Sequence, residues 1–339
     1  MRIHKLQTTE AFVAIDLEGA EASSGPVRWA KKILQGGAKD LARTQTYTYA
    51  ALGMQRGGAS AGISAAPDSR SDAIRAFVEE AEALVAESIY LPDPAKGVGV
   101  DELANLRAND PRDTARLGPF GARCDGLAAA ITADHAVGLD AKTVAIEGFE
   151  GIGASIAEEV IDRGGRVVAI STATGTVTND EGFSLVDLAA AAEAGPDGVN
   201  ELGEAGPVKA VFGSGAEVVF AGSKTGIVDH VVADQLSACA AVVAAGRLHL
   251  TARGLAVLRR AGVAAPADFV SLAGSTLAAW GDPNRSDDEI LAGVREDVGN
   301  LCDELTGHDD GLLLAACHHA ESFLSTWQDE LPFGRPLAP

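Results

Sequence analysis

This 339-residue sequence has little of several things, and each shortage excludes a class of protein. Cysteine occurs four times, as Cys124, Cys239, Cys302 and Cys317, widely spread and without a CxxC pair. No disulfide framework is expected from that spacing; free thiols in a reducing compartment are. Positive charge is scarce: 27 Lys and Arg stand against 48 Asp and Glu, a net charge of −21. A chain this acidic repels phosphate, so neither nucleic acid nor an anionic membrane surface is expected as a partner. No uncharged apolar run reaches the ~18 residues of a membrane span. The start, "MRIHKLQTTEAF", has no apolar stretch ahead of its polar residues, so no secretory signal is expected there and a cytoplasmic setting is. No internal repeat or low-complexity run is evident. What the sequence does have is 47% hydrophobic residues and enough length for two domains with real cores.

Along the first third, "AFVAIDLEG" (11–19) reads as a strand. A helix is expected over 26–52, broken near Gly36–Gly37. "RGGASAGISA" (56–65) reads as a glycine-rich turn entering a strand. "SDAIRAFVEEAEALVAES" (71–88) carries Ile74, Phe77, Val78, Ala81, Leu84 and Val85 at helical spacing, with Ser71 as the expected N-cap. Residues 90–103 are rich in Pro and Gly, then helical from Asp101, and 109–121 read as a linker. From about 122 the pattern alternates. A helix (122–136) leads to strand "KTVAIEGF", a helix at 153–163 and strand "RVVAIST". Further strands are expected at 216–223, 240–246 and 263–270, with a helix over 250–262. Strand–helix alternation indicates a parallel sheet covered on both faces. After Gly281 the chain turns helical.

The stretch "AIEGFEGIGASIAEEVIDRGGRVVAIST" (145–172) is strand, glycine turn, helix, strand, the opening of a dinucleotide-binding unit. Such a turn uses G-x-G-x-x-G: one glycine to turn, one to let the backbone approach a pyrophosphate, one for helix packing. Positions 148, 150 and 153 read Gly148, Glu150 and Gly153, so a carboxylate stands where the close approach is needed. Gly151 takes that role if the loop is shifted by one residue and Glu150 turns to solvent. The candidate cofactor residues are therefore Gly148, Phe149, Glu150, Gly151, Ile152 and Gly153, with Thr172 at the end of the next strand. An acid normally binds the ribose at that strand end; here Ser171 and Thr172 stand instead. The open alternatives are NAD, NADP and no cofactor.

Several stretches resemble the glutamate/leucine/phenylalanine/valine dehydrogenase family over roughly residues 10–281. "LARTQTYTYAALGMQRGGASAG" (41–62) is similar to the family's L-A-R-x-M-T-Y-K-x-A-x-x-G-L-x-x-G-G-x-K-G-G. "PAKGVGVDEL" (94–103) resembles P-A-P-D-V-G-T-D-E, and "VAIEGFEGIGASIAEEV" resembles V-A-I-Q-G-F-G-N-V-G-S-x-V-A. "GFSLVDL" and "GLAVLRRAGVAAPADFVSLAGS" follow in the family's order. The resemblance implies NAD(P)-linked oxidative deamination of an L-amino acid, a small-molecule ligand in an interdomain cleft and a homo-oligomer. In the family one lysine binds the substrate carboxylate, a second activates water and an aspartate assists proton transfer.

Carried over residue by residue, these roles fall on Thr48, Ser60 and Gly97, with Lys96 one residue before the last. Ser60 is held in register by its flanking glycines. The family's interdomain-helix threonine falls near Arg123, its E-G-A-N on "AAGRLHL" (244–250) and its N-A-G-G on "LAGS" (272–275). A hydroxyl cannot replace a lysine as a carboxylate clamp or as a base near neutral pH. Lys96 and Arg56 lie near the lost positions and are the cations available to refill them. Ser60 has no identifiable base partner as a nucleophile. The adjacent histidines of "CHHAES" (317–322) point to different sides of a helix, so no metal site is expected; His135, His230 and His249 are isolated. Asp101 and Glu102 favour a helix dipole.

The resulting expectation is an α/β fold in two domains. An N-terminal α/β substrate and oligomerisation domain covers 1–121. A Rossmann-like doubly wound parallel sheet covers 122–281, and C-terminal helices over 282–339 pack back. Two functions follow: an NAD(P)-dependent oxidoreductase of an amino or oxo acid with an altered site, or a non-catalytic pseudo-enzyme serving as scaffold, ligand sensor or partner subunit.

Overall fold

The computed structural model describes residues 1–339. The chain divides into two compact units. The first comprises Met1–Phe120, Ala278–Arg285 and His319–Pro336. The second comprises Gly121–Leu277, Ser286–His318 and Leu337–Pro339.

The first unit is built on a five-stranded sheet. Its strands are β1 (Arg2–Lys5), β2 (Ala11–Ile15), β3 (Ser23–Ala30), β4 (Gly57–Ser64) and β5 (Leu91–Pro94), in the order β1-β2-β4-β3-β5. β1 and β2 run antiparallel, as do β2 and β4; β3 lies parallel to both β4 and β5. Helix α1 (Gln35–Ala51) packs on β4 and α2 (Arg70–Ala86) supports the sheet core. Alternation along β4 sorts its residues between the two faces. Ala59, Ala61 and Ile63 join Ile74, Phe77, Val78 and Val85 of α2 in one core, while Gly58 meets α1. A Cβ on Gly58 would lie 1.9 Å from the Ala42 carbonyl oxygen, so only glycine lets α1 come this close.

Three expectations need correction here. Residues 26–30, expected within a helix, form the second half of β3. Pro26 biases the residue before it away from helical geometry, and Val27 is fully buried in the sheet core. The glycines of 57–62 lie within β4 itself rather than in a turn before it. The N-cap of α2 is Ser69, not Ser71, because a short 3-10 turn (Pro67–Ser69) precedes the helix.

The second unit starts in α3 (Pro119–Val137), which takes in the end of the expected linker. Next come β6 (Thr143–Glu147), α4 (Gly153–Asp162), β7 (Arg166–Ser171) and β8 (Thr176–Thr178). Helices α5 (Leu185–Glu193) and α6 (Val199–Leu202) lead to β9 (Val218–Ala221), α7 (His230–Gln235), β10 (Ala241–Ala244) and α8 (Ala252–Ala261). The strands order as β10-β9-β6-β7-β8, the first four parallel and β8 antiparallel at the edge. β9 and β10 are buried at every position, and since successive side chains point to opposite faces, both faces of the sheet are covered. Val144, Ile146, Val167, Ile170, Val218 and Phe220 carry that core.

The expected strand at 263–270 does not form. Ala264 makes an isolated bridge to Ala241, and Pro266, which cannot donate to a ladder, precedes the short helix α9 (Asp268–Ser271). The single turn α10 (Gly274–Ala279) follows, then α11 (Asp287–Leu305), opened by a complete Ser286–Glu289 capping box, and α12 (Leu312–Leu324). No helix is long and apolar enough to cross a membrane.

Candidate functional site

The residues that the family resemblance singles out in the first unit lie on α1, β4 and the turn after β5. Thr48 is fully buried in α1 and its Oγ1 donates to the Thr44 carbonyl at 3.1 Å. Ser60 is fully buried in β4 and its Oγ donates to the Pro26 carbonyl at 3.0 Å. The backbone is drawn in around both: the Gly58 N–H donates to Thr46 Oγ1 at 2.9 Å. The Thr48 bond thus lies within α1, and the Ser60 bond ties β4 to β3.

Lys96 and Gly97 sit in a tight turn closed by the paired Ala95 and Val98. Lys96 is exposed, and its carbonyl accepts the Trp29 N–H. Gly97 is left-handed, with φ +78°, and its carbonyl accepts two bonds from Arg70. A Cβ there would stand 3.0 Å from both the Trp29 ring and the Trp29 carbonyl. Any side chain at this position would meet both obstacles at once.

Of the two cations expected to refill the site, Lys96 faces solvent and Arg56 does not. The Arg56 guanidinium lies 3.7 Å above the Trp280 ring, and its Nε is buried without a hydrogen-bond partner. Trp280 Nε1 donates to Tyr49 Oη at 2.8 Å, and Tyr49 shares a 2.5 Å hydrogen bond with Ser24 Oγ. Burial pushes the Tyr49 hydroxyl above its usual range. Sequence reasoning missed Arg28, because it placed residue 28 in a helix. Arg28 lies on β3, opposite Gly62 of β4. Its Nε is buried and unpartnered, and burial lowers its pKa against the opposing pull of Tyr90. No local signal marked it, because the stretch Ser23–Ala30 carries no strand period. Guanidinium groups can hold anions but do not deprotonate near neutral pH, so neither arginine supplies a general base.

The second unit presents the glycine turn. The N–H groups of Gly148 and Phe149 both donate to the Ser171 carbonyl, at 3.1 and 2.9 Å, which ties the turn to the end of β7. Gly148 has φ +78°, and a Cβ on it would fall 2.8 Å from Ser223 N. Gly153 lets α4 pack on Phe149, whose ring would lie 2.6 Å from an added Cβ. Gly151 is exposed, with only the Gly148 carbonyl at an ordinary 3.6 Å from an added Cβ. Ile152, at the N-cap of α4, supplies no side-chain cap, so the orphan N–H groups of the first turn have no side-chain acceptor from that position.

Glu150 is exposed but not free in solvent. Its Oε1 accepts the Ala173 N–H, so the carboxylate spans from the glycine turn to the connection between β7 and β8. Thr172 turns away from the turn: its Oγ1 donates to the Pro196 carbonyl and contacts Thr174. Glu147 was not singled out from the sequence. It is buried at the end of β6, and its Oε2 accepts the N–H groups of Gly222 and Ser223 at 2.9 and 3.0 Å. It bridges β6 to the end of β9 where the strand order reverses, the crevice in which open α/β sheets take ligands. The signal was present in the sequence: an acid at the last position of an apolar strand.

The residues that fit a dinucleotide are Gly148, Gly151 and Gly153 with the start of α4; the residue that does not is Glu150. Residues 125–279 match the family model of the Glutamate/Leucine/Phenylalanine/Valine dehydrogenases. The fold is similar to that of a Leu-bound hetero-hexameric glutamate dehydrogenase from Thermus thermophilus. The TM-score is 0.77 at 21% identity, over 92% of this chain and 83% of that one. Similar too is glutamate dehydrogenase from Plasmodium falciparum, at TM-score 0.73 and 14% identity over 93% and 79% of the two chains. The enzyme from Peptoniphilus asaccharolyticus gives 0.69 and 17% over 94% and 86%. The family match thus rests on residues 125–279, while over nearly the whole chain the fold is similar to that of glutamate dehydrogenases.

Proposed function

We propose that this chain keeps the amino-acid dehydrogenase architecture without its lysine-dependent oxidative deamination. The observation that carries the reading is Ser60: at the position of the general-base lysine stands a fully buried hydroxyl that donates to the Pro26 carbonyl. No ammonium occupies Thr48, and Gly97 cannot take back an aspartate without moving Trp29. The ligand is a small anion held by guanidinium groups rather than by lysine, in a cytoplasmic homo-oligomer. NAD or NADP binding is weakened by Glu150, and redox chemistry, where it persists, acts on an amino or oxo acid.

A second reading has its own support. The Thermus thermophilus relative is hetero-hexameric and was seen with Leu bound. A subunit that senses a small ligand for an active partner needs the fold but neither the base nor the cofactor, which suits the joint departures at Thr48, Ser60, Gly97 and Glu150.

The test is a turnover assay of the full chain against a panel of L-amino acids with NAD+ and NADP+, and of 2-oxo acids with ammonia and the reduced cofactors. Loss of the base alone lowers rates about 10²- to 10⁴-fold, so no turnover above background is expected. Turnover of any panel member at the rate of a lysine-bearing relative would refute the proposal.

A further inference from the structure

Outside the family's site, one cluster of side chains has the chemistry of a ligand set. Helix α11 ends at Leu305 and α12 begins at Leu312. The intervening "GHDDG" is bounded by two left-handed glycines, Gly307 at φ +81° and Gly311 at φ +78°. The Gly311 N–H closes the turn onto the His308 carbonyl at 2.9 Å. This fold-back aims His308 and Asp310 at the flank of α12, where His318 lies. Asp310 Oδ2 is 3.9 Å from Nδ1 of His308 and 3.9 Å from Nδ1 of His318. The two imidazole rings stand 5.5 Å apart, tilted by 57°. One donor atom from each of the three residues falls within 4.8 Å of the others.

We propose that His308, Asp310 and His318 form a binding site for a divalent transition metal of the zinc class. Two imidazole nitrogens and a carboxylate oxygen suit zinc, cobalt or nickel, and three protein ligands leave a position for water. Bond lengths of about 2.0–2.2 Å put tetrahedral ligand atoms about 3.4 Å apart. The 3.9 Å pairs therefore close by about half an ångström on binding. The side chains have room for that movement, being 43%, 48% and 42% exposed. The flanking glycines meet nothing within 4 Å, so the turn can follow. His308 gives up one weak contact, the Asp310 N–H at 3.2 Å from its Nδ1.

The surroundings favour a cation. From Glu296 to His318 the sequence has six acids, Glu296, Asp297, Asp303, Glu304, Asp309 and Asp310, and no lysine or arginine. Both ion pairs assigned to Asp310 go to the histidines themselves. Asp310 also borders a cavity of about 430 Å³, shared with Thr306, Gly307, Gly311 and Arg259. The bound ion clips the turn to α12. The sequence expectation of no metal site rested on the adjacent pair His318–His319; the partner of His318 is instead His308, brought in by the glycine-bounded turn.

The test uses the full chain, stripped of metal by a chelator. Equilibrium dialysis against Zn2+ measures stoichiometry, and the visible spectrum of Co2+ reports the coordination geometry. One tightly bound equivalent is expected, with a cobalt spectrum of four- or five-coordinate type and a Zn2+-dependent rise in unfolding temperature. His308→Ala and His318→Ala should each weaken binding at least about 10- to 100-fold, Asp310→Asn should weaken it, and His319→Ala should leave it unchanged. All four variants should fold as the wild type does without metal, checked by circular dichroism, because none of the four side chains is buried. Failure of the wild type to bind Zn2+ overturns the proposal. So does binding that survives both histidine variants.

Discussion

His249 gives the sharpest quantitative prediction. It lies within "AAGRLHL", is 1% exposed, and has no hydrogen-bond partner on either ring nitrogen. Its neighbours fix the backbone tightly: Leu248 is held at φ +57° by an N–H bond to buried Asp268 at 2.7 Å, and the His249 carbonyl accepts the Val228 N–H at 3.0 Å. Burial lowers the imidazole pKa from 6.5 to about 3. The folded state therefore keeps the ring neutral while the unfolded chain takes up a proton below pH 6.5, so stability falls as pH drops from 6.5 toward 3. At 1.36 kcal/mol for each pH unit of displacement, the full loss is about 5 kcal/mol. His249→Leu removes the titrating group and the two unpartnered nitrogens together. Urea unfolding of the second unit, followed at a series of pH values from 7 to 4, should show the wild type losing about 1.4 kcal/mol more per pH unit than the variant. The comparison is of slopes, so it survives a general change in stability. Parallel pH profiles would refute the reasoning, since they would mean that the folded protein protonates His249 as readily as the unfolded chain.

Two further outcomes follow from particular contacts. Glu150→Gly removes a carboxylate at the glycine turn and should tighten NADH binding about 10-fold in calorimetric titration, with Glu150→Gln intermediate if charge and bulk both act; equal affinities in all three proteins would count against Glu150 as the obstacle. Asp16, with no exposed side-chain surface, makes a bidentate pair with Arg43 at 2.7 Å for both contacts, and Arg43 also donates to the carbonyls of Phe333 and Gly334. Asp16→Asn should lower stability by about 3–5 kcal/mol in urea unfolding, because it leaves a buried guanidinium without its counter-charge. Wild-type stability would mean the two carbonyls suffice.

Elements with a strong period were legible in the sequence. The helix from Ile74 to Val85 and the unit running from β6 through the glycine turn to β7 appear within a few residues of their expected bounds. β3 was not legible. Gly25, Pro26 and the following basic residues carry no strand period, and the segment is extended because β4 and β5 pair with it on both sides. The strand expected at 263–270 failed for the opposite reason: its apolar residues are buried without a ladder to join. In the candidate site, the hydroxyls at 48 and 60, where the resemblance places lysines, were readable as letters. That Arg28 is a part-buried cation with an unpartnered Nε, and that Glu147 closes onto β9, depended on the pairing of strands far apart in sequence.

By itself the sequence determined what chemistry the chain can supply. Side-chain identity sets whether a base or an ammonium exists at all, and Thr48, Ser60 and Gly97, the positions on which the resemblance places the family's groups, carry neither. Its glycine spacing and apolar strands also determined the α/β class, because local period and turn geometry act over a few residues. Only the tertiary structure decided where the remaining groups point. Glu150 reaches Ala173, Arg56 stacks on Trp280, and His308 meets His318, each across an interval that no local period encodes. The physical reason is range: backbone preference is settled within a turn or a strand, whereas burial and charge pairing are settled between segments that only folding brings together.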